Sequence, residues 1–164
     1  MEKRESMTWT DVNFDEVVAG DEILPEDQYT FEVISATRDR FDREKFSIRL
    51  DVAAGPYKGQ RLYVEYPNPG KADKNHPEGG PQNWVIKAFK LFLNAVKPFG
   101  YTLHTFETPV DFVNRIVAEA DAKNEPILIM ARNTHNTYTD KETNELVTKN
   151  KVTPRSVRPY EPND

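Results

Sequence analysis

The chain has 164 residues, 37% of them hydrophobic and 30% charged, with a formal net charge of −5 and no cysteine. That length fits one ordinary domain with a lean but sufficient core, and the missing cysteine excludes disulfides, thiol nucleophiles and cysteine-based zinc sites, in agreement with a reducing compartment. No run approaches the roughly 18 apolar residues that span a bilayer, and Met1-Glu2-Lys3-Arg4-Glu5-Ser6 lacks the apolar stretch of a signal peptide, so neither a membrane partner nor secretion is expected.

The charge is unevenly spread. Residues 1–32 hold ten acidic and two basic side chains, residues 33–100 hold twelve basic and seven acidic ones, and the remaining 64 residues come to −2. An acidic arm followed by a locally basic region fits a cationic groove, with the arm packing elsewhere, recruiting a partner or competing for the groove. An ordinary solvated surface fits the same numbers.

Residues 1–26 read as that acidic arm, with Trp9, Val12, Phe14, Val17 and Val18 as anchors. Tyr29 to Arg40 reads as a first strand, and residues 44–54 and 60–66 as a second and third. Within these, Phe46, Ile48, Leu50 and Val52 alternate with Ser47, Arg49 and Asp51, while Leu62, Val64 and Tyr66 alternate with Arg61, Tyr63 and Glu65. Gly55-Pro56-Tyr57-Lys58-Gly59-Gln60 joins the second to the third: proline presets one turn position and glycine supplies a positive φ. One face of this hairpin is apolar. The other carries Arg49, Arg61 and Tyr63, a mixture suited to phosphates and bases.

Pro67 to Pro81 is a loop of fifteen residues with four prolines and three glycines, either a functional flap or a surface excursion. His76 lies in it, but with His104 and His135 scattered at no ligand spacing no metal site is expected. From Gln82 to Lys97 the positions Trp84, Val85, Ala88, Phe89, Leu91, Phe92, Ala95 and Val96 recur at helical spacing and define a core helix. Lys87, Lys90, Asn94 and Lys97 form a basic stripe on its other side, which reads as a solvated face. Thr108 as N-cap, Pro109 at the first helical position and Asp111 in the first turn start a second helix to about Lys123. Its apolar side holds Val110, Val113, Ile116, Val117 and Ala120, with Arg115, Glu119 and Asp121 facing water.

Pro126 begins a strand that continues to Thr139, residues 140–145 form a hairpin tip, and the partner strand runs from Leu146 to about Val157. This long ribbon carries Arg132, His135, Tyr138, Lys149 and Lys151 and is too polar to be buried throughout. Three strands, a helical connection and two strands is the order of an OB-fold. The expected class is therefore mainly β with helices (α+β): a five-stranded OB-fold Greek-key barrel over residues 27–160, with the helical connection between strands three and four, a long C-terminal hairpin, and a short tail at 161–164. In such a barrel oligonucleotides lie on strands two and three, flanked by the loops joining strands one to two and four to five. Arg49, Arg61 and Tyr63 fall on those strands, Tyr57 and Lys58 on their turn, Arg40, Phe41 and Arg43 in the first loop, and Arg132, Tyr138, Lys149 and Lys151 on the last hairpin.

Leu24-Pro25 followed by Tyr29-Thr30-Phe31-Glu32-Val33, the Gly55 to Gly59 turn, and a helix with Trp84 and Leu91 together resemble a family of small phage proteins encoded beside recombination and replication genes. The resemblance covers roughly residues 20–160. It implies an OB-fold single-stranded-DNA-binding protein that coats strands during phage replication or annealing in the host cytoplasm, alongside phage recombination or replication proteins. The tail departs from the pattern: Tyr160-Glu161-Pro162-Asn163-Asp164 has only two acidic side chains, where many strand-binding proteins end in a strongly acidic partner-docking tail.

The expected mechanism is non-sequence-specific capture, with Lys and Arg neutralising phosphates while Tyr63 and Tyr138, with Phe41 and Tyr57, offer stacking faces. No cofactor is expected. Two other classes stand beside it. An acidic interaction or decoy protein of a phage would act through residues 1–32. A metal-dependent nuclease would need Asp39, Asp42, Asp73 and His76, which form no known ligand pattern, so the chain is not expected to be an enzyme.

Overall fold

A computed structural model describes residues 23–70 and 83–162. Trp9, Val12, Phe14, Val17 and Val18 of the acidic arm, most of the proline-rich loop with Asp73 and His76, and the last two residues lie outside that range.

The described chain is mixed α+β and mostly β. Its strands are β1 (Asp27–Arg38), β2 (Phe46–Val52), β3 (Arg61–Tyr66), β4 (Leu128–Thr139), β5 (Leu146–Val152) and the two-residue β6 (Arg158–Pro159). Two helices, α1 (Asn83–Val96) and α2 (Pro109–Lys123), lie between β3 and β4. β1 ends two residues earlier than the pattern predicts. The Asp39 carboxylate accepts the N–H groups of Phe41 and Asp42 at 2.9 and 3.0 Å, turning the chain out of the strand. β5 likewise stops at Val152 and not near Val157, because Pro154, without an N–H to donate, opens a short 3₁₀ turn at Pro154–Ser156.

β1 is long enough to serve two neighbours. Phe31 to Arg38 pair antiparallel with β2, while Asp27 to Glu32 pair antiparallel with β4. The register slips between Val33 and Ser35, leaving Ile34 as the extra residue of a bulge that bends the strand between its partners. β2 pairs with β3, β4 with β5, and β3 runs parallel to β5 where Val64 faces Val152. The pairings thus close a circuit, β1-β2-β3-β5-β4 and back to β1, with β6 beside β4.

Within the circuit sit the alternating residues the sequence marks as apolar: Ile48, Leu50 and Val52 from β2, Leu62, Val64 and Tyr66 from β3. The turn closes as expected, with the Gly59 N–H bonded to the Val52 carbonyl at 2.9 Å and both glycines at positive φ, +87° at Gly55 and +94° at Gly59. One core residue comes from the segment read as arm: Leu24 is fully buried.

α1 buries Val85, Ala88, Phe89, Phe92, Ala95 and Val96, but not all the residues its spacing suggests. Leu91 lies on the line joining Lys87 to Asn94 and is 36% exposed, and Trp84 is half-buried at the edge of the core. α2 starts as predicted, Thr108 Oγ1 accepting the Asp111 N–H at 3.2 Å. Asn114 fixes it to the sheet by taking the Ala36 N–H at 2.9 Å and returning a bond to the Ala36 carbonyl at 3.0 Å. Arg115 does not simply face water. It forks onto Glu107 at 2.7 and 3.0 Å and also bonds Glu119 and the Thr102 carbonyl, tying α2 to the loop before it. Those bonds hold the Glu107 carboxyl down to about 2.

Candidate nucleic-acid interface

Antiparallel register puts Arg49 opposite Tyr63 and Asp51 opposite Arg61 on the outward face of β2 and β3. Arg49 does not turn to its neighbour across the strands. It bonds along its own strand, Nε and Nη2 each 3.1 Å from the Asp51 carboxylate, which raises the guanidinium pKa and spends its charge. Arg61 is thereby left with no ion pair among the described residues, and its Nε is buried with no hydrogen-bond partner. A guanidinium with no ion pair keeps its positive charge for the groove that it lines. Tyr63 stands beside it 48% exposed.

On the β4–β5 ribbon Asn136 faces Lys149, Thr134 faces Lys151 and Tyr138 faces Val147. Lys149 Nζ lies 5.6 Å from the Tyr138 ring centroid, a cation over an aromatic face. Because β3 and β5 pair only at Val64 and Val152, a groove of about 640 Å³ opens between them, and it is lined by Arg61, Tyr63, Glu65, Asn136, Lys149 and Lys151 with Ile23 at one edge. Four of the predicted side chains, Arg61, Tyr63, Lys149 and Lys151, therefore share one groove.

The others are spread around it. Arg40 lines a smaller depression of about 220 Å³ beside Lys45 and Glu65, with its guanidinium 5.4 Å from the ring centroid of Phe41, itself 89% exposed. Arg43 lines an apolar cleft of about 460 Å³ between the end of β3 and the two helices. Tyr57 packs edge-on against Tyr29, ring centroids 6.2 Å apart, so it belongs to the core margin, while Lys58 is exposed on the turn. Arg132 is exposed on β4 and lines none of these depressions; its backbone N–H bonds Ser156 Oγ. The far end of the β1–β2 face is acidic: Glu32 faces Asp51, and burial first, then repulsion from Asp51 and Asp121, raises its pKa. The face thus runs from negative at β1 to positive at β3 and β5.

The chain entering β1 is pinned at the groove's edge. Leu24 donates its N–H to Asn150 Oδ1 at 3.0 Å, and its carbonyl accepts from Asn133 Nδ2 at 3.2 Å and from the His135 ring nitrogen at 2.6 Å. Glu26 takes the His135 backbone N–H at 2.8 Å. His135 is thus a structural donor that also borders a depression beside the groove. Asn133, fully buried on β4 in step with Ile129 and Ala131, is the polar residue that makes this attachment.

Lys45, Trp84 and Arg155 are the residues that the sequence pattern misses. They line a second depression of about 630 Å³ that shares Glu65, Asn136 and Lys151 with the groove. Helical spacing counts Trp84 among the core positions, and no local signal brings Arg155, seventy-one positions later, onto its ring. Among the described residues no three of His, Asp and Glu gather as a ligand set, and no helix is long and apolar enough to cross a membrane. Comparison with known proteins finds no matching family model, no matching curated protein and no matching solved structure.

Proposed function

We propose that this protein binds single-stranded DNA without sequence preference, on an OB-fold, in the replication or recombination of a phage. The closed circuit of five strands with its helices between β3 and β4 supports the OB-fold reading, since it has the strand order and crossover of that barrel. The single observation that carries the function is the groove: Arg61, with no ion pair among the described residues, beside the half-exposed ring of Tyr63, Lys149 and Lys151. Cations with no ion pair among the described residues are available to phosphates, and a half-exposed ring beside them offers its face to a base. A groove with stacking faces favours strands whose bases are unpaired, because duplex bases are already stacked on one another.

The test is fluorescence anisotropy of a labelled oligothymidylate and of a duplex of equal length over a range of salt. Single strands should bind more tightly. With Arg61, Lys149 and Lys151 each neutralising one phosphate, the logarithm of affinity should fall against the logarithm of salt with a slope of about −2. The double variant Arg61→Ala, Tyr63→Ala should weaken binding about tenfold or more while melting cooperatively like the parent. Equal affinity for duplex and single strand, or an unaltered double variant, would remove this function from the groove.

A further inference from the structure

The groove between β3 and β5 does not end at Lys151. Through the shared residues Glu65, Asn136 and Lys151 it runs on into the second depression, at whose far side the first turn of α1 and the 3₁₀ turn after β5 bring Trp84 and Arg155 together. The Arg155 guanidinium lies 5.2 Å from the Trp84 ring centroid. Neither Arg155 nor Lys45 has an ion-pair partner among the described residues, and Glu65 is the one carboxylate lining this depression there. A planar cation over an indole, with two more cations at the margin in Lys45 and Lys151 that have no ion pair among the described residues, is what a base and its flanking phosphates would require.

We propose that a bound single strand crosses the β3–β5 seam and that Trp84 and Arg155 form a second base-stacking subsite, with Lys45 and Lys151 taking the phosphates on either side. The inference rests on the reading of the groove as a single-strand site and extends it by a step: the strand leaves the β2–β3 face and turns toward α1. Arg155 then trades its contact with the indole for a base inserted at that platform, or stacks on the base from the other side. Both arrangements change the surroundings of the Trp84 ring.

Trp84 reports on this directly. The chain has two tryptophans, so Trp9→Phe leaves Trp84 as the sole tryptophan, excited selectively over the tyrosines. That protein is titrated with labelled oligothymidylates of about 4 and about 16 nucleotides, the range of site sizes for a single domain of this kind, while anisotropy and tryptophan emission are read together. The longer strand should quench Trp84 emission in proportion to the anisotropy change. Arg155→Glu, on an exposed side chain, and Trp84→Leu, which keeps apolar bulk at the core margin, should each weaken the longer strand on the order of tenfold, and weaken the shorter one less. Anisotropy showing binding with no change in Trp84 emission, or with full affinity in Arg155→Glu, overturns the subsite and leaves the groove standing. No anisotropy change in the parent protein overturns both.

Discussion

Tyr66 gives the sharpest test of the packing that holds the groove's strands. Its ring is fully buried, stacked on Phe46 at 5.0 Å and edge-on to Phe89 at 5.5 Å, yet its hydroxyl has no hydrogen-bond partner among the described residues. Tyr66→Phe keeps both ring contacts and removes only the desolvated hydroxyl. A buried polar group without a partner costs about 1–3 kcal/mol, and the small gap left by the lost oxygen returns part of that. The expected net is a stabilisation of about 1 kcal/mol, or about 2–4 °C in Tm for a chain of this size. Alkaline pH adds a second signature. The unfolded phenol ionises near 10.0, whereas burial raises the folded one well above it, so the wild type binds one more proton folded than unfolded in that window. Its stability is intact below pH 10 and should fall by about 1.4 kcal/mol more than that of Tyr66→Phe by pH 11. Urea unfolding followed by far-ultraviolet circular dichroism, at pH 7 and across pH 9–11, measures both. A Tyr66→Phe protein less stable by about a kcal/mol or more at pH 7 would mean that the hydroxyl is hydrogen-bonded, and a difference from wild type that does not move with pH would mean that the phenol is not desolvated; either result refutes the reasoning.

Two further predictions concern the attachments around the sheet. Glu107, held at about 2 against 4.5 for a free glutamate, contributes stability that is fully present above about pH 4.5 and is lost as pH falls toward 2. Glu107→Gln should therefore unfold more readily than wild type at pH 7, with the two acid-unfolding curves converging near pH 2; a constant gap down to that pH would exclude the Arg115 fork as the cause. Asn133→Ala removes the buried donor to the Leu24 carbonyl and to Asn150 Oδ1 and should cost about 1–3 kcal/mol in urea unfolding, with faster proteolytic cutting ahead of β1. A loss below about 0.5 kcal/mol would show that His135 and Asn150 hold Leu24 without it.

Much of the fold is legible in the chain because it is written in local chemistry. The alternation of Phe46 to Val52 and of Arg61 to Tyr66 specifies which side chains face in, and one wrong step of register would expose every one of them. The Gly55–Gly59 turn and the Thr108-Pro109 start are legible for the same reason, since each is a short-range constraint of φ or of a single hydrogen bond. Part of the candidate site is legible too: Arg61, Tyr63, Lys149 and Lys151 are named by strand and face, and the structure brings those four to one groove. Arg49 shows the limit. Its place on the outward face is a matter of parity, but its loss to Asp51 depends on two side-chain rotamers two residues apart on the same strand.

By itself the sequence determines the strands, the helices, the hairpin turn and which residues alternate inward, because these follow from periods of two and 3.6 and from the backbone preferences of glycine and proline. Only the tertiary structure decides that β3 meets β5 in parallel, that Leu24 is core while Leu91 is surface, and that Arg155 lies on Trp84. Those outcomes join residues far apart in the chain, and they are settled by where the bent β1 lets the sheet close and by which apolar area its closing leaves to be covered.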